Sequence, residues 1–415
     1  MEVLGVRVLL GPSTTALALA FVGGGVLFGT LSGLTPGLHV NTLAVVMAGL
    51  APVVPAPPHL LAVSMVAAGV THSFLDVVPM LAIGVPDAAL AVTALPGHRL
   101  VLGGRGREAL RVSAVGSLSA VGVAVVLGVP VTLGMSAVAA PLERVFPLVV
   151  ALVAFVLLAT ERDRVAVLGG ALSLLASGVL GLLLLDVTTG GVLPGGDTLL
   201  PLLSGLFGVP VLVFAYRGAG VPVQTDATVA MAAERSVGWG VLGSVAGALV
   251  AYLPGVSAAV AAALAFPFLP ADAGDRAFVA TVSGVNTANT VFALFALVAL
   301  GSPRTGVLVA VEDARLPVNL PLVLAAVAIA ASVAFVLVPV LGDPYLRVVG
   351  RVDPRALAIG VAGLLVALVW GFTGWRGVGI LGVATVVGLL PLWFDARRVH
   401  LMGVLLVPVG LRGVL

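Results

Sequence analysis

Two polar clusters interrupt sequence that is otherwise apolar: THSFLD at Thr71–Asp76 and SGVNTANT at Ser283–Thr290. His72 and Asp76 are four residues apart, so on a helix they share one face, with Ser73 beside them. Ionisable groups at membrane depth are costly, and they mark ion or substrate paths. The chemistry this first cluster points to is the handling of a proton or of sodium. A structural alternative is that Asp76 caps a half-helix or pairs with an arginine. The second cluster supplies Ser283, Asn286, Thr287 and Asn289. Neutral oxygens and amides of this kind coordinate sodium or hold a carboxylate without a charge cost. Any sodium is expected near Ser283, Asn286 and Asn289. The alternative is plain interhelical hydrogen bonding, a common use of Asn and Thr in membranes.

Pro-Gly pairs stand upstream of both clusters. GLTPGLHVN carries Pro36, Gly37, His39 and Asn41, and YLPGVSAA carries Pro254, Gly255 and Ser257. Proline removes a backbone donor and glycine permits a reversal, so each pair can break a helix. Broken helix ends at membrane depth are tolerated where they are buried in protein or line a wet cavity. There the free N–H and C=O groups, with their partial charges, become available to a solute. His39 could titrate or bind an anion beside the first break. Arg304, in SPRTG, offers a planar fork suited to carboxylate or phosphate, or else snorkels to the interface. No HExxH, Gly-x-Ser-x-Gly or P-loop lysine is present, and the chain has no cysteine, so thiolate metal sites and disulfides are excluded.

The elements that must position these residues are membrane helices. The 415 residues are 60% hydrophobic and 9% charged, against about 25% charged in soluble proteins. The mean hydropathy is +1.24, and the apolar pattern continues to the C-terminus, which argues against a cleaved secretory signal on a soluble protein. Windows long enough to span a bilayer give about 10 to 12 helices or part-helices. Expected spans include 14–32, 40–55, 59–84, 109–136, 142–159, 165–185, 237–252, 255–269, 277–301, 317–341, 356–371 and 376–394. Arg99, Arg105, Arg107 and Arg111 make 96–111 a basic loop, and Arg347, Arg351 and Arg355 make another. The stretch 186–197 has no basic residue. The positive-inside rule places the first two in the cytoplasm and the third outside, which fits three crossings between 109 and 185. The 20 basic residues are scattered among short loops, so no nucleic-acid surface is expected.

The two halves of the chain share landmarks. Pro36 and Pro86 are 50 residues apart, and Pro254 and Pro303 are 49 apart. His72 lies 36 residues beyond Pro36, and Asn289 lies 35 beyond Pro254. This register argues for an internal duplication, with repeat 1 at about 14–136 and repeat 2 at about 237–341. Linking helices then occupy about 142–216, and C-terminal helices about 356–415. Matched interruptions in duplicated membrane segments are the mark of a secondary transporter.

GTLSGLTPGLHVN, SFLDVVPMLAIGVPDAALAVTALPGHRLVLGGRGREAL and SGVNTANTVFALFALVALGSPRTG resemble the large permease subunit of tripartite tricarboxylate transporters, the TctA family, and most closely its archaeal branch. The resemblance covers most of the chain. It implies an ion-transporter-like, all-α polytopic membrane protein with two inverted repeats, each holding a re-entrant hairpin and an interrupted helix around a central site. It implies cation-coupled carboxylate uptake at the cell membrane, and in bacterial systems a small membrane subunit and an extracytoplasmic binding protein. His39 departs from the family pattern, which has glycine after Pro-Gly-Leu, so the substrate is open. The function expected is sodium- or proton-coupled transport of a small organic anion, with no cofactor beyond the coupling ion. Membrane lipids and a second copy of the chain are further expected partners. The alternatives are a polyprenyl-phosphate lipid flippase and an intramembrane enzyme using Asp76 with a histidine.

Overall fold

The computed structural model describes residues 2–3, 6–7, 11–36, 40, 44, 47–48, 54–83, 94–193, 198–216, 221–225, 228–252, 258, 261–262 and 274–412. Gly37, His39, Asn41, Pro86, Pro254, Gly255 and Ser257 lie outside them. A two-residue antiparallel pairing of β1 (Glu2–Val3) with β2 (Val6–Arg7) precedes a chain of helices. Among the described residues seven helices are long and apolar enough to cross a membrane. Shorter apolar helical stretches lie at Pro147–Ala159, Leu199–Val213 and Arg398–Pro408. The chain is an all-α polytopic membrane protein.

The first part of the chain forms α1 (Pro12–Leu34), α2 (Pro58–Leu75), α3 (Val77–Ile83), α4 (Ala94–Leu102) and α5 (Gly106–Ala159). Next come α6 (Arg164–Leu184) and α7 (Leu199–Leu203), then a π-helical turn at Ser204–Gly208 and α8 (Val209–Ala215). The later part holds α9 (Ala233–Ala251), α10 (Gly274–Leu300), α11 (Gly306–Asp313) and α12 (Leu320–Val349). The chain closes with α13 (Pro354–Gly388), α14 (Leu390–Trp393), a 3₁₀ turn at Arg398–Met402 and α15 (Gly403–Arg412).

α6 illustrates what a lipid solvent selects. Asp163 caps its start, accepting from the Val165 and Ala166 N–H groups at 2.8 and 2.9 Å. Its buried residues are mostly small, Gly169, Gly170, Ser173, Ser177, Gly178 and Gly181, with Leu174 and Leu180 among them. Its exposed face carries Leu168, Leu172, Leu175, Val179 and Leu183. Small residues predominate toward the protein and large apolar ones outward, because close backbone packing holds helices together where lipid removes the hydrophobic drive.

Several boundaries differ from those expected. The spans 109–136 and 142–159 belong to one element, α5. Within 96–111 only residues 103–105 are non-helical between α4 and α5. Leu100 and Val101 of α4 are buried, which makes the segment a packed helix rather than a free loop. The span 59–84 is kinked between α2 and α3. Pro79 has no N–H to offer the Leu75 carbonyl, so the ladder slackens there and the Met80 N–H reaches the Asp76 carbonyl only at 3.5 Å. Spans 356–371 and 376–394 meet at Gly374, whose φ of 67° interrupts α13. The Leu193 N–H donates to the Gly371 carbonyl beside that kink at 2.8 Å.

Two helix pairs have the same construction. α1 lies on α2, and α9 lies on α10. A Cβ on Gly25 would sit 2.3 Å from the Ser64 carbonyl oxygen, and one on Gly29 would sit 2.4 Å from that of Ala68. On the other pair, Gly243 faces the Thr281 oxygen at 2.2 Å and Gly247 faces that of Val285 at 2.9 Å. Only glycine allows such approaches. The contacts between the pairs are exchanged as well: α10 packs on α5 and α4, and α2 packs on α12 and α11. α2, α3, α5, α10 and α12 supply most of the main core.

Candidate functional site

The kink between α2 and α3 brings Asp76 against α10. The Asn286 Nδ2 donates to Asp76 Oδ2 at 2.8 Å and approaches the Ser73 carbonyl at 3.4 Å. Thr287 Oγ1 donates to Ser117 Oγ at 2.9 Å and lies 3.4 Å from the same Ser73 carbonyl. Ser117 donates on to the Ser283 carbonyl at 3.2 Å, and the Ser283 and Ser113 hydroxyls are 2.8 Å apart. α2, α10 and α5 are thus stitched by one chain of polar groups. All of it is buried, with Asp76 4% and Asn286 7% exposed.

α1 closes one side. Ser32 Oγ lies 2.9 Å from His72 Nδ1, either atom being able to donate according to the tautomer. A Cβ on Gly33 would stand 3.3 Å from the Asp76 N–H nitrogen. Pro36, buried, follows three residues after Gly33.

Of the residues expected from the sequence, Ser73, Asp76, Ser283, Asn286 and Thr287 share this network, and His72 flanks it through Ser32. Asn289 lies one turn further along α10, half-buried, with its backbone nitrogen 3.1 Å from where a Gly247 Cβ would stand. Ser283 and Asn286 turn to different partners, Ser113 and Asp76. Arg304 is half-buried, four residues past the end of α10, whose last residue lies about 20 Å along the helix axis from Asn286.

Ser113 and Ser117 are not among the residues expected from the sequence. They stand four apart on α5 with Gly116 between them, whose absent Cβ leaves the Ala280 carbonyl room to approach. Nor are two ion clusters at helix ends among those expected. Glu108 accepts from Arg105 at 2.5 Å, from Arg276 at 2.8 and 3.0 Å, and from the Ala230 N–H at 2.6 Å. Arg107 pairs with Asp343 nearby. Glu161, in the α5–α6 turn, accepts from His400 Nε2 at 2.6 Å and from Arg397 Nε at 3.0 Å. Burial alone would push the Glu161 carboxyl up, but the hydrogen bonds from His400 and Arg397 outweigh it and hold its pKa down at about 2.

Chemically, the Asp76 cluster gathers a carboxylate, a main-chain carbonyl and hydroxyl oxygens inside the membrane domain. Such oxygens can accept a proton or a hard cation. Among the described residues no group of three or more His, Cys, Asp or Glu could hold a metal ion. Fold and cluster together define a class: a multi-pass membrane protein with a polar centre enclosed by a kinked helix and its neighbours. The chain belongs to the tripartite tricarboxylate transporter TctA family, whose family model matches residues 19–403. That family consists of transporter subunits, not enzymes. The chain is also similar to the uncharacterized protein MJ1079 of Methanocaldococcus jannaschii, at 34% identity over 93 residues. That match spans 22% of this chain and 23% of the archaeal protein's length. No solved structure matches the chain.

Proposed function

We propose that the chain is the large permease of a secondary transporter, moving a small organic anion of the di- or tricarboxylate class with sodium or protons. The observation that carries this reading is the buried bond between Asp76 and Asn286. It joins a kinked helix of the first half to a helix of the second, where alternating access would need its ion site. Asp76, the Ser73 carbonyl and Thr287 are the groups assigned to the coupling ion. Pro36, Gly37, His39, Asn41, Pro254, Gly255, Ser257 and Arg304 are assigned to the anion from their sequence positions.

The proposal rests on an internal duplication with α1 to α5 answering α9 to α12. The paired glycines are offset by 218 residues (25 to 243, 29 to 247), and the carbonyls they face by 217 (64 to 281, 68 to 285). The same 217 relates His72 to Asn289. The exchanged packing supports the duplication independently. Family membership supports two partners, an extracytoplasmic binding protein and a small membrane subunit. Uptake of a labelled carboxylate panel into proteoliposomes, under imposed sodium or proton gradients, tests the reading. Gradient-driven accumulation of at least one carboxylate is expected. Its absence across the panel with both partner subunits supplied would overturn it.

A further inference from the structure

We infer that the crevice between α8 and α13 binds an anionic phospholipid, with an acyl chain in the crevice and the phosphate at Arg355. α8 presents Val209, Leu212 and Val213, and α13 presents Ala358, Ile359 and Ala362, to a groove of about 300 Å³. Leu212 and Ala358 are buried at its floor, whereas Val213 and Ile359 are 48% and 62% exposed on its walls. The groove therefore opens outward, and for a membrane helix pair that means toward lipid. Ala358 and Ala362, one turn apart on one face, create the gap by their small size. The volume is at the lower end for small-molecule sites.

An apolar crevice facing lipid needs no charge, yet this one ends in a cation. Tyr216, just past α8, lines the groove, and the Arg355 guanidinium stands 5.6 Å from its ring centroid. This cation–π contact fixes the guanidinium at the mouth and leaves its positive charge in place. A guanidinium has five donors in a planar fork that matches phosphate. Arg347, in the last turn of α12, and Arg351, in the following loop, make this the basic end of the helix pair. The arginine bias assigns that end to the cytoplasm, where basic pockets between membrane helices take anionic headgroups. A neutral lipid would use the groove without the arginine, and a soluble phosphate would use the arginine without the groove. The two features together select a lipid with a negative headgroup.

The test is native mass spectrometry of the detergent-purified chain, titrated separately with phosphatidylglycerol and with phosphatidylcholine of the same acyl chains. The wild type should retain the anionic lipid at least fivefold more. Arg355→Gln, at an exposed position, should abolish that preference, and Ala362→Phe should lower retention of both lipids. Val213→Phe, on the exposed wall, serves as the filling variant if Ala362→Phe fails to fold. Equal retention of the two lipids by the wild type, or undiminished preference in Arg355→Gln, overturns the proposal. A loss confined to Arg355→Gln, with both filling variants like wild type, would show a headgroup contact without a chain site and overturn it too.

Discussion

Asp76→Asn separates charge from shape at the centre of the molecule. The Asn286 Nδ2 that donates to Asp76 Oδ2 at 2.8 Å can donate equally to an asparagine carbonyl, so the α2–α10 contact survives while the negative charge is gone. Asn286→Ala does the converse: the charge remains and loses a donor. In a soluble protein that loss would be about 1.5–3 kcal/mol, a ten- to hundredfold effect. Interhelical hydrogen bonds in membranes average nearer ~0.6 kcal/mol, because the unfolded helices find other partners. Asn286→Ala is therefore expected to destabilise the protein by about 1 kcal/mol, and Asp76→Asn by less. Function should rank them oppositely. In proteoliposomes Asp76→Asn should bring gradient-driven accumulation down to simple equilibration while preserving substrate exchange without a gradient. Asn286→Ala should retain coupling with a weakened ion dependence. The double variant should accumulate no worse than Asp76→Asn alone, since the two residues act as one unit. Normal accumulation by Asp76→Asn, with unchanged pH and sodium dependence, would leave Asp76 a structural residue and remove the basis for coupling at this cluster.

Gly25→Ala and Gly243→Ala each push a methyl to within 2.3 and 2.2 Å of a facing carbonyl oxygen. Each should cost about 1–3 kcal/mol in thermal unfolding. Gly23→Ala, with nothing within 4 Å, should be neutral or stabilising on the same helix. Glu161 tests the joint between α5 and the 3₁₀ turn before α15. Its pKa falls from 4.5 to about 2 in the fold, so its contribution is complete above pH 4.5 and is lost as pH drops through about 2. Melting curves of wild type and Glu161→Gln should converge below pH 4.5, and curves that stay parallel across that range would refute the assignment.

The fold class was legible because lipid imposes a coarse rule: long apolar windows must be helices. Helix ends were less legible. Pro79 was visible within an expected span, but whether a proline bends a helix or ends it depends on what lies across from it. Here the chain continues as α3 with Asp76 still helical in φ and ψ (−60°, −22°). The first polar cluster was legible because charge in apolar sequence is rare. Ser113, Ser117 and Ser32 were not, since a hydroxyl can satisfy itself on its own helix. Ser119 does so, donating to the Val115 carbonyl four residues back at 2.7 Å. Only tertiary contact distinguishes the serines that reach across. Glu161 and His400 are 239 residues apart, a pairing no local pattern encodes.

The register of the proposed duplication explains why the polar centre is lopsided. On the offset of 217 the counterpart of Asp76 is Ala293, and the counterpart of Asn286 is Gly69. Ala293 is fully buried, and Gly69 faces Val307, which a Cβ would approach to 3.1 Å. One half thus contributes a carboxylate and the other an amide, while their equivalents are small and apolar. Two symmetric copies of Asp76 would place two buried charges near one axis, and their repulsion would oppose folding. Two copies of Asn286 would leave donors without an ionised acceptor. Keeping the glycine contacts that set the helix pairs, and dividing the polar partners between halves, would let the proposed transporter keep a twofold frame with a single buried carboxylate inside it. An Ala293→Asp variant probes this directly. Its expression or stability should fall by far more than a buried hydrogen bond is worth, with partial rescue when Asp76→Asn is added. An Ala293→Asp protein as stable as wild type would show that the asymmetry has another cause.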